Sequence, residues 1–182
     1  MNAQDVILSS KVLHLRELKG EVERLKAECQ RLRNESAALK EHFDLALVAA
    51  QDLRALPDGG AFVVVDGWNR ILGSDRLAAS RDELLADARA HVAAHPADFV
   101  WIVYDGAREN SCADGRVRVS YTGGTGPQRA DDFIVDFVRM ARWLGLADRI
   151  KVVTCDRKLL RRCTQAGAPP ARRGGCHSRR SF

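Results

Sequence analysis

Acidic residues recur in this sequence directly after short apolar runs. FVVVDGWN places Asp66 behind residues 62–65, FVWIVYDG ends at Asp105, and IKVVTCD ends at Asp156. RADDFI sets the pair Asp131 and Asp132 at the start of an amphipathic stretch. A single aspartate at a strand end is more often a turn or cap residue than a ligand. Several together mean more, because parallel strands of an open α/β sheet bring their carboxyl ends to one edge, where ligands bind. Carboxylates crowded on that edge repel each other unless a cation lies between them. The pattern therefore predicts a divalent-metal site. Magnesium takes a few hard carboxylate oxygens plus water, and two such ions can stabilise the attacking and leaving oxygens of phosphodiester cleavage. Asn69, three residues after Asp66, could orient an acid or a water, or equally satisfy loop backbone.

The elements that must position these acids follow from periodicity. Residues 62–65 are too few for a helix and read as a strand buried on both faces. Residues 99–104 and 150–154 read likewise, while 116–121 alternates, with Val117, Val119 and Tyr121 on one face and Arg116 and Arg118 on the other. Ser80 and Glu83 have capping-box spacing and open a helix to about His95. His91 and His95, four apart, lack a third ligand in the sequence and read as surface residues. Ala130, Phe133, Ile134, Phe137, Val138, Ala141 and Leu144 trace one helix face, with Asp131 along its edge and Asp132 about 100° further round. A basic helix, residues 157–166, follows Asp156. The GGTGP loop at 123–127 lacks the GK[ST] ending of a phosphate loop and reads as a mobile loop first, a phosphate contact second.

Ahead of this domain, residues 5–54 contain no proline and hold a heptad. With Leu15 as a, the seam runs through Leu15, Leu18, Val22, Leu25, Cys29, Leu32, Leu39 and Phe43, and g-to-e′ pairs match Glu21 with Lys26, Glu28 with Arg33, and Glu35 with Lys40. That charge code specifies a parallel homodimer through residues 8–46. A lone helix of this length would run roughly 70 Å, beyond any domain it could cover. The segment Leu56-Pro57-Asp58-Gly59-Gly60 should break the helix and act as a hinge. The expected layout is a coiled-coil helix at 1–56, a hinge at 57–61, an α/β domain at 62–168 and a basic disordered tail at 169–182.

Net charge is +5, but residues 1–148 carry 19 basic and 23 acidic side chains, and 149–182 carry 10 basic and one acidic. A cationic carboxyl end suggests a polyanionic partner, nucleic acid before membrane. Five cysteines follow no CxxC spacing, so neither a zinc site nor a disulfide framework is expected. The opening residues lack a basic start and a long apolar stretch. No apolar run approaches membrane-spanning length. A cytoplasmic protein with reduced thiols is the expectation.

Taken in order, VVVDGWN at 63–69, IVYDG at 102–106, RADDFI at 129–134 and VVTCDRKL at 152–159 resemble the NYN domains of the PIN-like ribonucleases, particularly the bacterial YacP-like group. The resemblance covers about 62–168. It implies a three-layer PIN-like fold with a parallel sheet, and Mg²⁺- or Mn²⁺-dependent endonucleolytic hydrolysis of RNA. Asp66, Asn69, Asp131, Asp132 and Asp156 fall on the family's site, with Asp105 as a secondary acid. On that basis Asp66, Asp131 and Asp156 would hold the metal, while Asp132 and Asn69 would position water. Arg116, Arg118, Arg129, Arg157, Lys158, Arg161 and Arg162 would grip the phosphates of single-stranded RNA, mRNA or rRNA. A ribosome or another protein could deliver that RNA. Two features depart from the family: Leu160 stands where some relatives add an acid, which favours one metal over two, and an Arg/Pro/Gly tail replaces a further strand and helix. The alternative is a non-catalytic RNA-binding adaptor tethered by the coiled coil.

Overall fold

The structure is a computed structural model that describes residues 3–72, 80–106, 112–123 and 129–170. Helix α1 spans Ala3–Arg54; strand β1, Phe62–Asp66; α2, Gly67–Leu72; α3, Arg81–Ala94; β2, Phe99–Tyr104; β3, Cys112–Asp114; and β4, Val117–Tyr121. Helix α4, Arg129–Trp143, a 3₁₀ turn at Ala147–Arg149, strand β5, Ile150–Val153, and α5, Arg157–Ala166, complete the chain. The GGTGP loop from 124 onward and the tail from 171 lie outside the described residues.

The five strands lie in the order β3-β4-β2-β1-β5. Strands β4, β2, β1 and β5 are parallel, and β3 pairs antiparallel with β4. Central β1 is buried throughout, as its unbroken apolar run predicts. The chain leaves β1 toward β2 and later returns to its other side as β5, so the sheet reverses direction beside β1, where ligands enter folds of this class. Strand β3 escaped the sequence reading because its three residues are all exposed and carry no apolar alternation.

Successive β1 side chains feed opposite layers. Phe62 and Val64 join Trp101, Phe133, Phe137 and Leu159 under α4 and α5, whereas Val63 and Val65 join Ile102, Leu84 and Ala88 under α3. Phe62 stacks on Phe99 at 5.0 Å, and Trp101 meets Phe133 and Phe137 edge-on. The buried Trp101 indole donates to Ser120 Oγ at 2.9 Å, which satisfies its polar handle. Ser80 and Glu83 form the expected capping box at the start of α3.

The chain divides into two compact units, Met1–Glu41 and His42–Phe182. In the second, Ala46, Ala49, Leu53 and Leu56 are buried in the core with the apolar face of α4, so the last turns of α1 belong to the domain instead of to the heptad seam. Residues 57–61 likewise form a packed corner where a hinge was expected. A Cβ on Gly60 would stand 2.2 Å from the Ala97 carbonyl oxygen, and the Arg149 guanidinium donates to the Pro57 and Gly60 carbonyls. In the first unit Leu15, Leu18, Val22, Leu25 and Leu32 are all exposed. Among the described residues no helix is long and apolar enough to cross a membrane. Cys29, Cys112 and Cys163 are free, but Cys155 is disulfide-bonded, which corrects the expectation of reduced thiols at that position.

Candidate metal centre

Asp66 ends β1 and is buried. Its Oδ1 accepts the Asn69 N–H at 3.2 Å and its Oδ2 accepts the Thr154 hydroxyl at 3.0 Å. Thr154 in turn accepts the Asp156 N–H at 3.1 Å, and the Asn69 side-chain oxygen accepts the Cys155 N–H at 2.9 Å. These bonds lace the ends of β1 and β5 together. Asp156 caps α5 through Oδ1, which accepts the N–H groups of Lys158 and Leu159 at 2.6 and 3.3 Å. A helix start favours such a carboxylate through both its free N–H groups and its dipole. Asp105, past the end of β2, accepts the Ala130 N–H at 2.6 Å and the Thr122 hydroxyl at 3.3 Å, which seats the first turn of α4.

That seat delivers Asp131 to the same edge. Its half-buried carboxyl takes no hydrogen bond among the described residues, and it is pushed up to about 6, first by burial and then by the charges of Asp66 and Asp156, with Asp105 adding and Arg162 opposing. Asp66 is also raised, by burial first; its bonds to Asn69 and Thr154 resist the rise, and Asp105 and Asp156 add to it. Four acids from four separate segments thus act on one another through charge. They do not form a ready ligand shell. Among the described residues, three side chains with ligand atoms mutually within 4.8 Å occur only at His91, His95 and Asp98. Binding one ion at the four acids therefore requires side-chain rotation there.

Residues 63–172, more than half of the chain, match the model of the YacP-like NYN domain. The chain belongs to this family. Its NYN domain places it in the PIN-like nuclease superfamily, whose NYN members are generally divalent-metal dependent. No curated protein and no solved structure matches the chain. The donor set of the NYN domain suits such an ion: the oxygens are hard carboxylates, and Asp131 has no hydrogen bond to give up among the described residues.

The remaining sequence-derived residues divide. Arg157, Lys158 and Arg161 are exposed on α5, directly after Asp156, and Arg129 at the start of α4 donates to the Thr122 carbonyl at 3.3 Å. Asp132 is exposed and ion-paired with Arg162, so the structure does not bring it to the other acids. Asn69 spends its oxygen on the Cys155 backbone, the bracing role that its place in the loop equally allowed. Two further arginines of that set are engaged elsewhere. Arg116 stands before the amino end of β4, reaching the Ala97 carbonyl, and Arg118 is locked to Asp52 of α1 at 2.6 and 2.9 Å in a largely buried pair.

Sequence reasoning missed Thr154 as the bridge between Asp66 and Asp156, although its place one residue past β5 was the available signal. It also missed an aromatic group beside Asp66. Arg81 lies 4.7 Å over the Trp68 ring and 5.7 and 5.8 Å from the rings of Tyr104 and Tyr121. Trp68 Nε1 donates to the Asp105 carbonyl at 2.7 Å. Cys163, buried on α5, is pushed up to about 12 by burial and is therefore an inert thiol.

Proposed function

We propose that this NYN domain is a metal-dependent endoribonuclease that works as a parallel dimer. One observation carries the reading: Asp131, half-buried, without a hydrogen-bond partner among the described residues, and raised to about 6 first by burial and then by the charges of Asp66, Asp156 and Asp105. Such an arrangement is costly for folding and is the kind that active sites retain. Asp66, Asp131 and Asp156 would hold Mg²⁺ or Mn²⁺, with Asp105 as a secondary acid. When bound, the ion supplies positive charge that stabilises the oxygens of a phosphodiester during hydrolysis. Thr154 and the Asn69 N–H hold Asp66 in position. Arg157, Lys158 and Arg161 bind the backbone phosphates of the RNA.

The test is incubation of single-stranded RNA with Mn²⁺, with and without chelator, alongside Asp131→Asn. Expected is internal cleavage lost with chelator and lowered by roughly a hundredfold or more in the variant. Equal cleavage in every sample would discard the assignment, and salt-sensitive binding with no turnover under any divalent ion would select the adaptor reading instead.

A further inference from the structure

The edge of the sheet opposite the four acids carries a second cluster. His91 and His95 lie one turn apart on the last turn of α3 and at its C-cap, and Asp98 precedes β2; one ligand atom of each lies within 4.8 Å of the others. The two imidazoles stack at 4.5 Å. Asp98 is already oriented, since its Oδ1 accepts the Ala61 N–H at 2.8 Å and its Oδ2 meets His91 Nε2 at 2.9 Å. His95 Nδ1 lies 3.2 Å from the His91 carbonyl oxygen. Donation to that carbonyl puts the proton on Nδ1 and leaves the Nε2 lone pair free of a proton, the tautomer that binds a metal through Nε2.

The surrounding backbone is firmly held. Gly60 packs against Ala97 too closely for a Cβ, Arg116 reaches the Ala97 carbonyl, and the Phe99 N–H donates to the Ala61 carbonyl at 2.9 Å. The ligands therefore stand on fixed elements, which is what separates a usable site from a chance grouping.

We propose that His91, His95 and Asp98 form a second metal site, for a borderline divalent ion such as Zn²⁺, that staples the end of α3 to the segment entering β2. Two imidazoles and one carboxylate suit zinc far better than magnesium, which demands oxygen ligands, so the two edges of the sheet select different ions. An ion entering here replaces the proton between His91 and Asp98, and that proton moves to the other ring nitrogen or to solvent. The bland reading is a histidine–carboxylate pair that closes a helix-to-strand corner.

The two separate in a calorimetric titration of Zn²⁺ into untagged full-length protein whose free thiols are alkylated, in parallel with Asp66→Asn/Asp131→Asn and His95→Gln. Expected is one Zn²⁺ per chain, retained in the double aspartate variant, at least tenfold weaker in His95→Gln, and accompanied by a rise in Tm that His95→Gln abolishes. His95 is exposed, so its variant should keep the wild-type circular dichroism. No uptake, uptake unchanged in His95→Gln, or uptake lost only in the aspartate variant would overturn the proposal.

Discussion

Asp131 carries a cost in folding. Its carboxyl stands at about 6 in the folded chain against an ordinary 3.8. Between those values the folded protein holds more protons than the unfolded one, so stability falls as pH rises through that window and stays reduced above it. In metal-free protein, Asp131→Asn should therefore stabilise the fold near neutrality by on the order of 1 kcal/mol after allowance for partial exposure, read as a higher Tm, and should give no gain below about pH 4. Thermal melts of both proteins across that range check this, and a variant no more stable than wild type at neutral pH refutes it. That Asp131 stands near Asp66 and Asp156 was readable from its place at the edge of the apolar stripe. That Asp132 faces Arg162 was not, because a pairing across 30 positions depends on how α4 and α5 pack.

At the scale of elements, one glycine seats the end of β1 and one ion pair ties α1 to β4. Gly67, behind Asp66, lies flat on Tyr104: an added Cβ would stand 2.3 Å from the ring. Gly67→Ala should therefore push β1's end away from β2 and cost about 1–3 kcal/mol, read as a lower denaturation midpoint. The strand-then-acid pattern was legible because β1 and β2 are buried on both faces, while the need for glycine depends on a ring contributed by the neighbouring strand. Arg118 makes the same point about charge. Read as a phosphate ligand from the alternation of β4, it instead holds Asp52, and the partner lies 66 positions away. Arg118→Ala should cost about 1–3 kcal/mol of stability by stranding Asp52, and leave RNA affinity unchanged. Arg157→Ala/Lys158→Ala should do the reverse, weakening RNA binding, flattening its salt dependence and sparing Tm. Filter binding at two salt concentrations beside a melt distinguishes them; a loss of RNA affinity in Arg118→Ala would restore it to the interface.

At the scale of the whole molecule, the heptad was the most legible feature in its period and the least legible in its end. Periodicity alone carried the seam on to Phe43 and Ala46, but Ala46, Ala49 and Leu53 are drawn into the domain core, so the last turns of the helix are packed within the second unit. Among the described residues the seam positions Leu15, Leu18, Val22, Leu25 and Leu32 are exposed, and Glu21, Glu28 and Glu35 would face oppositely charged e positions in a parallel pair. Full-length protein should therefore elute with twice the 20.1 kDa chain mass, and Leu25→Glu/Leu32→Glu should return it to one. Orientation has its own probe. In a parallel pair the exposed Cys29 at an a position meets its copy within disulfide reach, whereas an antiparallel pair parts them. Mild oxidation should give a non-reducing dimer band that Cys29→Ser removes; a dimer by mass that never crosslinks through Cys29 would mean the helices run antiparallel, with the two NYN domains at opposite ends.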